Sequence, residues 1–504
     1  MKADESSRYD DLTVSELIEH ALVLNEGQLS AKGALVVSPK RNTEVQRFIV
    51  NEPSVSDVIR ADAQFHLLDS GVFKSIWEHV KDDVAELSRY RVRAHMGVDS
   101  DIAVPLEITT MNAWHALSCH HLCHCPSEFN PREKPVWKLI WTPLSSFGDA
   151  EILSHGGGVI LIHVGKRQIL MGGVLTTGEM RRTLMTLLGL LLPEKDALPL
   201  HGAAAQNNEE ITLFLGPAGT QKSTWALRCG QLVGDRALSW SNNGLHRLAD
   251  GCRLHLNHNL PISLDKALQF GTIAENLTLT NKRNPILDDP ENDLSTIPPA
   301  HLVVPLGLLD ATSEAHTDGP TRLVILTTDP LGVLPPLAKI SHEQCLAWFM
   351  LGYGNHLGPL EEQRPETDIR FTPGFMDTLL PRNLNDYTHI LENLLEKCET
   401  RCFLVNAGWH GGQTGQGSPL SKSEESTVID SMHHCANWRP LGSLGLSIPA
   451  EKSNTAAAWN PQDRWPDCSD FQSNLSKLIS LIADELQRTS DPERWLRTLE
   501  IECN

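Results

Sequence analysis

The sequence predicts an α/β protein with mixed sheets and two domains, and three observations carry this prediction. With 504 residues, the chain is longer than a domain with a single small hydrophobic core usually is. Segments with strand composition alternate with segments of helical spacing along the chain. The stretch LFLGPAGTQKSTWAL at 213–227 joins a buried strand to a helix through a glycine-containing turn.

The individual elements follow from their local patterns. SELIEHALVL and KSIWEHVKDDVAEL carry apolar residues at helical spacing. GGGVILIHVGKRQILMGG predicts two strands joined by a turn, and GEMRRTLMTLLGLLLP predicts an amphipathic helix that Pro193 ends. Three further segments, EITLFLG, RLVILTTD and RCFLVNAG, predict buried strands.

Composition and charge exclude several classes of function. A formal charge of −20 disfavours binding to nucleic acid or to an anionic membrane, because both need surplus Lys and Arg. The first residues, MKADESSRYDDL, lack the apolar core of a signal peptide, and LMTLLGLLLP is too short to cross a bilayer. Eleven cysteines at irregular spacing do not suggest a disulfide framework. We therefore expect a cytoplasmic protein with reduced thiols and with neither a nucleic-acid nor a membrane partner.

The glycine-containing turn predicts a phosphate-binding loop (P-loop). Its residues fit the pattern G-x-x-x-x-G-K-[ST], except that Gln221 stands where the pattern has glycine. Backbone N–H groups and a helix N-terminus attract phosphate, a lysine neutralises it, and a hydroxyl can bind Mg²⁺. The other interpretation is a strand–helix turn without function. The predicted nucleotide-binding residues are Gly216, Gly219, Thr220, Gln221, Lys222, Ser223 and Thr224, and the predicted Mg²⁺ ligands are Ser223 and Asp235.

Motifs along residues 33–485 resemble those of the ATP-dependent phosphoenolpyruvate carboxykinase family. GGVLTTGEMRR resembles the family's GG-x-x-YGGEMKK, GPAGTQKST resembles GLSGTGKTT, and VGDRALSW resembles IGDDEHGW. LPLHGAAA, AENLTL, TTDPLGVLPPLAKIS and LVNAGWHGG resemble further segments in the same order. Ordered agreement at this many places identifies the chain as a divergent member.

The resemblance implies an architecture and a chemistry. It implies a substrate-binding-type domain at 1–198 and a nucleotide-binding domain with the P-loop at 199–504, with a cleft between them. A glycine-rich lid is expected near 406–427. Family members decarboxylate oxaloacetate and move the γ-phosphoryl group of ATP to the resulting enolate. They use nucleotide-bound Mg²⁺ and a second ion, usually Mn²⁺, held by a lysine, a histidine and an aspartate.

The positions of this second metal site depart from the family. His201 matches the histidine, but Arg182 stands for the lysine and Arg236 for the aspartate. A guanidinium stays protonated and offers no lone pair. Each would also repel a cation, by roughly 4 kcal/mol for unit charges about 4 Å apart at an effective dielectric constant of about 20. We therefore expect ATP and Mg²⁺ as cofactors and no second transition-metal ion.

The substrate positions depart as well. The family's carboxylate-binding arginine aligns with Asn42, next to Arg41, and its tyrosine aligns with Thr176. A second substrate arginine aligns near Leu294. The basic pair of the lid is replaced by Ser418 and Pro419.

Three hypotheses remain open. In the first, the protein is a kinase in which Arg182 and Arg236 replace the metal, because arginine can also neutralise a transferred phosphoryl group. Arg181 would then bind phosphate or an anionic acceptor, and Asp235 or His201 would take the acceptor's proton. The acceptor would be something other than oxaloacetate: a small-molecule hydroxyl is favoured, and a protein side chain is the alternative. The alternatives are an inactive nucleotide-binding or partner-binding pseudoenzyme, and a true carboxykinase with rearranged ligands.

Two histidine-containing segments invite other interpretations. SCHHLCHCP, residues 118–126, concentrates metal-ligating side chains, but no second ligand pair with zinc-like spacing follows. We expect a packed helix with incidental thiols there, and a structural role for His115 just before it. His410 lies in the predicted lid, and we assign it no role.

Overall fold

The computed structural model describes residues 7–39, 45–60, 65–99, 101–126, 136–143, 157–256, 260, 262–286, 300–355, 369–376, 379–450 and 459–501. It confirms the predicted mixed α/β class. The strands are β1 Arg8–Asp10, β2 Gln28–Leu29, β3 Leu35–Val37, β4 Val45–Val50, β5 His66–Leu68, β6 Arg89–Met96, β7 Val104–Thr110, β8 Trp137–Thr142, β9 Gly158–His163, β10 Gln168–Gly172, β11 Leu198–Leu200, β12 Ala203–Asn207, β13 Glu210–Leu215, β14 Gln231–Asp235, β15 Leu238–Ser241, β16 Gly244–Arg247, β17 Gly251–His255, β18 Ile273–Glu275, β19 His301–Pro305, β20 His316–Thr317, β21 Arg322–Thr327, β22 Leu337–Ile340, β23 Tyr353–Asn355, β24 Ile369–Phe371, β25 Arg401–Asn406, β26 Trp438–Pro440 and β27 Ser447–Pro449. The helices are α1 Val14–Val23, α2 Pro53–Ser56, α3 Ser70–Ala85, α4 Ala113–Leu122, α5 Thr177–Leu191, α6 Lys222–Cys229, α7 Leu264–Ala267, α8 His342–Leu351, α9 Leu384–Lys397, α10 Lys422–His434, α11 Cys468–Leu486 and α12 Pro492–Thr498.

The first large sheet lies in the N-terminal part of the chain. Its strand order is β1-β6-β7-β8-β10-β9-β4-β5, and β9 pairs antiparallel with β10 as the sequence predicts. Helix α3 packs its apolar side chains, among them Phe73 and Trp77, onto residues of β4, β8, β9 and β10. Burial of this helix face supplies most of its stability, since an isolated helix of this length is marginal in water.

The second large sheet positions the predicted phosphate loop. Its order is β14-β12-β13-β21-β25-β22-β27-β26, and β13, β21 and β25 are parallel neighbours. The carboxyl ends of these three strands therefore meet at one edge of the sheet. The phosphate loop follows β13, the 328–334 segment follows β21, and the predicted lid follows β25.

A five-stranded sheet joins the two halves of the chain. Its order is β17-β19-β18-β3-β2, and β3 pairs parallel with β18 through the register Leu35↔Ile273. Strands β2 and β3 lie before the predicted domain boundary at 198/199, whereas the other three lie after it. The predicted division into 1–198 and 199–504 therefore has one sheet that spans both parts.

Residues at the two ends of helix α5 explain where it begins and ends. The side chain of Thr176 accepts a hydrogen bond from the N–H of Glu179 at its start, and Pro193 begins a short 3₁₀ turn beyond its end. Its buried face runs from Met180 to Leu190. Among the described residues, no helix has both the length and the apolar character needed to cross a membrane.

Candidate phosphate-binding cleft

The loop between β13 and α6 has the left-handed backbone that a phosphate cradle requires. Gly216 has φ +154°, and a Cβ there would lie 2.2 Å from the carbonyl oxygen of Leu326 on β21. Gly219 has φ +90°. Gln221 is also left-handed, with φ 58° and ψ 34°, which explains why glycine suits this position. Thr220 donates its hydroxyl to the carbonyl oxygen of Pro217 at 2.9 Å and braces the loop from inside.

Lys222 is the first residue of α6 and is buried. Its Nζ donates to the carbonyl oxygens of Gly216 and Pro217 at 2.7 and 2.8 Å. Burial, together with the charge of Arg236, lowers the pKa of this ammonium to about 7 against the opposing effect of Asp235. The ammonium therefore lies on the concave side of the loop, within a positively charged environment.

Ser223 and Asp235 lie together, as the sequence predicts. The Ser223 hydroxyl donates to one carboxylate oxygen of Asp235 at 2.6 Å, and the thiol of Cys252 donates to the other at 2.9 Å. A hydroxyl and a carboxylate beside a phosphate loop are hard oxygen ligands that suit Mg²⁺ completed by phosphate oxygens. Thr224 is partly buried in the same turn of α6.

His201 lies among cationic side chains. Burial, together with the charges of Arg181, Lys222, Arg236 and Arg182, holds the pKa of its imidazole well below the ordinary value. The Nε2 atom of His201 is wholly buried and has no hydrogen-bond partner among the described residues. Three guanidinium groups are therefore close enough to act on the charge of this histidine, and a guanidinium offers no lone pair to a metal ion.

The arginines of the site differ in how many carboxylates and hydrogen-bond acceptors lie near each of them. Arg182 is half exposed and lies 3.8 Å from the carboxylate of Glu179. Arg236 has a left-handed backbone with φ 64°, and its Nε lies 3.6 Å from Asp235. Arg181 has two wholly buried nitrogens, Nε and Nη1, without a hydrogen-bond partner among the described residues. Burial and the charges of Arg236, Arg253 and Arg182 lower the pKa of Arg181 well below its ordinary value.

Sequence reasoning missed Arg253, which belongs to the same cluster. It lies on β17, and its Nη2 is 3.4 Å from the carboxylate of Glu275 on β18. Burial lowers the pKa of Arg253 to about 10, and Glu275 opposes this shift. Its Nε is wholly buried without a partner among the described residues. The available signal was an arginine inside the strand GCRLH, next to the buried Cys252.

The predicted lid reaches the phosphate loop. A cavity of about 100 Å³ separates the two, and its wall includes Trp409 and Pro419 from the lid and Gln221 from the loop. Gly219, Thr220, Thr328, Ala407 and Gly408 complete the wall. His410 and Ser418 exchange backbone hydrogen bonds of 3.0 and 3.1 Å that close the glycine-rich segment into a compact loop. The lid segment is therefore placed to contact a nucleotide bound at the P-loop.

The family's substrate positions are only partly described. Thr176 caps α5 and is partly buried. Arg41, Asn42 and Leu294 lie outside the described residues. Of the positions aligned with the family's substrate arginines and tyrosine, the structure therefore describes only Thr176.

The cysteine- and histidine-rich segment forms helix α4 and the turn after it. His121 pairs through Nε2 with the carbonyl oxygen of Gly271 at 2.8 Å, and His124 with that of Arg247 at 3.1 Å. His115 stacks on Trp141 with ring centroids 3.7 Å apart, and burial lowers its pKa to about 3. Within the part of the chain that the structure describes, no three His, Cys, Asp or Glu side chains are grouped to hold a metal ion. These contacts fit the structural roles expected for the segment.

Comparisons with known proteins cover nearly the whole chain. A family model described as phosphoenolpyruvate carboxykinase matches residues 6–456. A phosphoenolpyruvate carboxykinase (ATP) of Bacillus cereus is 30% identical over 500 residues, which covers 94% of each chain. One from Bacillus anthracis has the same identity and coverage. One from Geobacillus kaustophilus is 28% identical over 489 residues, covering 93% of this chain and 92% of its own.

Proposed function

Because the chain belongs to the ATP-dependent phosphoenolpyruvate carboxykinase family, we propose that it is an ATP-dependent phosphotransferase whose acceptor is not oxaloacetate. In this proposal Arg182 and Arg236 take the place of the second metal site. The observation that carries it is the group of guanidiniums around His201, with wholly buried donor atoms that lack partners among the described residues. A buried N–H without a partner costs about 1–3 kcal/mol, so a ligand that accepts these bonds is strongly favoured.

The nucleotide half of the cleft supports ATP as the donor. Lys222 would neutralise β- and γ-phosphate oxygens after leaving the loop carbonyls, and Ser223 and Asp235 would hold Mg²⁺. Bound Mg²⁺ supplies charge neutralisation across the β- and γ-phosphates. Trp409 and Pro419 from the predicted lid line the small cavity beside the P-loop and would shield a bound nucleotide there from water.

The arginines would neutralise charge on the transferred group. An acceptor hydroxyl attacks the γ-phosphorus, the new P–O bond forms, and the bond to the β–γ bridging oxygen breaks. Negative charge is spread over three equatorial oxygens, and fixed guanidinium donors stabilise such charge without reorganising. Arg181 and Arg236 border this region from α5 and from the end of β14.

The hydroxyl proton needs an acceptor, and Asp235 suits this role better than His201. Protonating His201 would add a fifth positive charge beside Arg181, Arg182, Lys222 and Arg236, which the lowered pKa of its imidazole already reflects. Asp235 is a buried carboxylate with Arg236 3.6 Å away. We therefore assign proton acceptance to Oδ2 of Asp235, the oxygen that Cys252 contacts, so that Oδ1 beside Ser223 stays available for Mg²⁺, and we assign a neutral role to His201.

The true carboxykinase remains the second candidate function, because the relatives named above are phosphoenolpyruvate carboxykinases. It would require oxaloacetate to bind without the family's arginine and tyrosine, and His201 to bind a metal among guanidiniums. The third candidate, a pseudoenzyme, requires only that the P-loop be retained as a fold element.

Nucleotide binding is tested with Lys222→Met, which keeps the side chain's length and removes its charge. Mg·ATP should raise the melting temperature of the natural protein, since ligand at about 100 times its Kd contributes about 2.7 kcal/mol. We expect Lys222→Met to abolish this shift. Lys477→Met, on the exposed face of α11 and outside the predicted lid, is the matched control and should retain the shift. An unchanged shift in Lys222→Met would exclude the P-loop as the nucleotide site.

The chemistry is tested by incubating the natural protein with γ-labelled ATP, Mg²⁺ and candidate hydroxyl acceptors. We expect slow release of labelled phosphate without acceptor, labelled product with the right one, and no phosphoenolpyruvate from oxaloacetate with or without Mn²⁺. The double substitution Arg182→Lys/Arg236→Asp should create Mn²⁺ binding beside His201. Mn²⁺-dependent phosphoenolpyruvate formation by the natural protein would establish the carboxykinase instead.

A further inference from the structure

A groove of about 1010 Å³ lies at the edge of the second large sheet that is opposite the P-loop. Its walls are the turn between β12 and β13, the end of α6 and one side of α10. The parallel strands β13, β21 and β25 begin at this edge with Glu210, Arg322 and Arg401, whereas the P-loop and the predicted lid follow their carboxyl ends. A ligand in this groove would therefore not occupy the nucleotide site.

Arg322 forms the floor of the groove, beneath α6 and α10. Side chains alternate along a strand, so Arg322 faces the same side of the sheet as Val324. Val324 belongs to one core cluster with Cys229 of α6 and Val428 of α10. Burial and the charge of Arg322 both lower the pKa of His433, and the same charge opposes burial, which raises the pKa of Cys229 to about 12. His433 and Cys229 line the groove, so the guanidinium lies directly behind its wall.

The floor carries more positive charge than its carboxylate neutralises. Nη2 of Arg322 pairs with Glu210, and the same carboxylate has Nη2 of Arg401 at 3.1 Å and Nδ1 of His433 at 3.4 Å. Arg322 is only 1% exposed, and its Nε and Nη1 are wholly buried without a hydrogen-bond partner among the described residues. Buried donors of a charged group are costly to leave without an acceptor. The floor therefore favours an oxyanion.

The rim of the groove differs from its floor. Lys422, Glu209 and Asp430 are exposed there, so water screens their charges. Arg228 on α6 pairs with Glu425 on α10 and joins the two helices beside the groove. Carboxylates at the rim accept hydrogen bonds from hydroxyl or amino groups. The volume is at the upper end of the range for small-molecule sites, about 300–1,000 Å³.

We propose that this groove is an effector site for a small organic oxyanion, a phosphorylated or carboxylated metabolite that also carries hydroxyl or amino groups. Its anionic group accepts hydrogen bonds from Nε and Nη1 of Arg322 once the side chain of His433 turns aside, and its donors face the rim. Helix α6 begins with Lys222 and Ser223, and α10 follows the predicted lid, so a ligand that bridges these helices also changes nucleotide binding. The effector is distinct from the phosphoryl acceptor.

The test measures binding at equilibrium by calorimetric titration with glycerol 3-phosphate and, separately, with glycerate. Ser426→Trp fills the groove from an exposed position on α10 and leaves Arg322 in place. Arg322→Met removes the buried donors. Ser473→Trp, on the exposed face of α11, is the matched control.

We expect Ser426→Trp and Arg322→Met to weaken the binding of one probe at least tenfold, and the natural protein and Ser473→Trp to bind it equally. Any binding of the probes in the cleft is common to all four proteins. Preference for glycerol 3-phosphate identifies a phosphate effector, and preference for glycerate identifies a carboxylate. Equal affinity of Ser426→Trp and the natural protein for both probes overturns the proposal.

The effector role is tested by titrating Mg·ATP with and without the preferred probe. We expect the probe to change the Kd of Mg·ATP at least fivefold more in the natural protein than in Ser426→Trp, where only competition in the cleft remains. An equal change in both proteins overturns the effector role. Failure of ATP to bind at all would refute the proposed function, whereas the affinities for the two probes would still decide whether the groove is a binding site.

Discussion

Gln221 illustrates how a single residue can depart from a motif while the backbone keeps its shape. Its φ of 58° belongs to the left-handed region, which costs a non-glycine residue about 1–2 kcal/mol. The side chain is exposed and lines the cavity below Trp409, so it interferes with neither Lys222 nor the loop carbonyls. Gln221 therefore strains the backbone of the loop, but the loop keeps the geometry of a phosphate-binding loop.

Replacing Gln221 by glycine should stabilise the protein slightly. Relief of left-handed strain contributes about 1–2 kcal/mol, and the greater freedom of glycine in the unfolded chain offsets about 0.5–1 kcal/mol of it. We expect urea unfolding to show a net gain of roughly 0.5–1 kcal/mol. Gln221→Ala keeps the strain and is the control. A loss of stability in Gln221→Gly would mean that the glutamine side chain makes a compensating contact.

Other residues of the site show what a sequence can and cannot predict. The Ser223–Asp235 pair was predictable because the hydroxyl opens a helix and the carboxylate ends the next strand of the same sheet. Arg253 was not, because β17 belongs to a different sheet, whose contact with the start of α5 runs through Glu275 on β18. A contact that depends on pairing between distant strands leaves no local pattern.

At the scale of elements, the parallel strands β13, β21 and β25 determine where the loops meet. The close packing is visible at Gly216, where any Cβ would overlap the carbonyl oxygen of Leu326. The lid loop contains Gly415, which has φ +82° but open space around its Cβ position. A side chain at Gly216 would meet a steric clash, whereas a side chain at Gly415 would meet only backbone strain.

Gly216→Ala should therefore destabilise the protein far more than Gly415→Ala. The first change forces β13 and β21 apart and should cost more than about 3 kcal/mol, beyond the range of most single substitutions. The second adds only left-handed strain of about 1–2 kcal/mol. Urea unfolding of both variants measures the difference. Equal losses would show that the loop after β13 can move away from β21.

The prediction of elements from the sequence was accurate where the pattern was local. The helix that ends before Pro193 and the β9–β10 pair follow from helical spacing, strand composition and turn residues. The boundary at 198/199 comes from the family resemblance, and the five-stranded sheet spans it. The sheet to which each strand belongs could not be derived from the sequence, because the composition of a strand does not determine which strand it pairs with.

At the scale of the whole molecule, helix α4 connects the N-terminal part to the five-stranded sheet. His121 pairs with the carbonyl oxygen of Gly271, and a Cβ on Gly251 would lie 2.6 Å from the Cβ of His121. Burial, together with the charge of His120, lowers the pKa of His121 from 6.5 to about 4 against the opposing effects of Gly271 and Asp250. The contact therefore forms with a neutral imidazole. Protonation of His121 would therefore destabilise the packing of α4 against the five-stranded sheet.

The protein should lose stability as the pH falls from about 6.5 towards 4. Above this window His121 is neutral in both the folded and the unfolded chain, so it contributes no pH dependence. Within it the unfolded chain binds a proton that the folded chain does not, which lowers the free energy of unfolding by up to about 1.4 kcal/mol per pH unit. Between pH 6.5 and 5, His121 alone should account for a loss of about 1.6 kcal/mol.

His121→Gln isolates this contribution. The Nε2 of glutamine can still donate to the carbonyl oxygen of Gly271 but does not titrate. We expect urea unfolding to show that the variant loses less stability on acidification than the natural protein, because residue 121 no longer binds a proton in the unfolded chain. The variant still loses some stability, because His115 and other buried histidines titrate in both proteins. If both proteins lose the same free energy between pH 6.5 and 5, then His121 binds its proton in the folded state, and the buried contact between α4 and the five-stranded sheet does not hold at acidic pH.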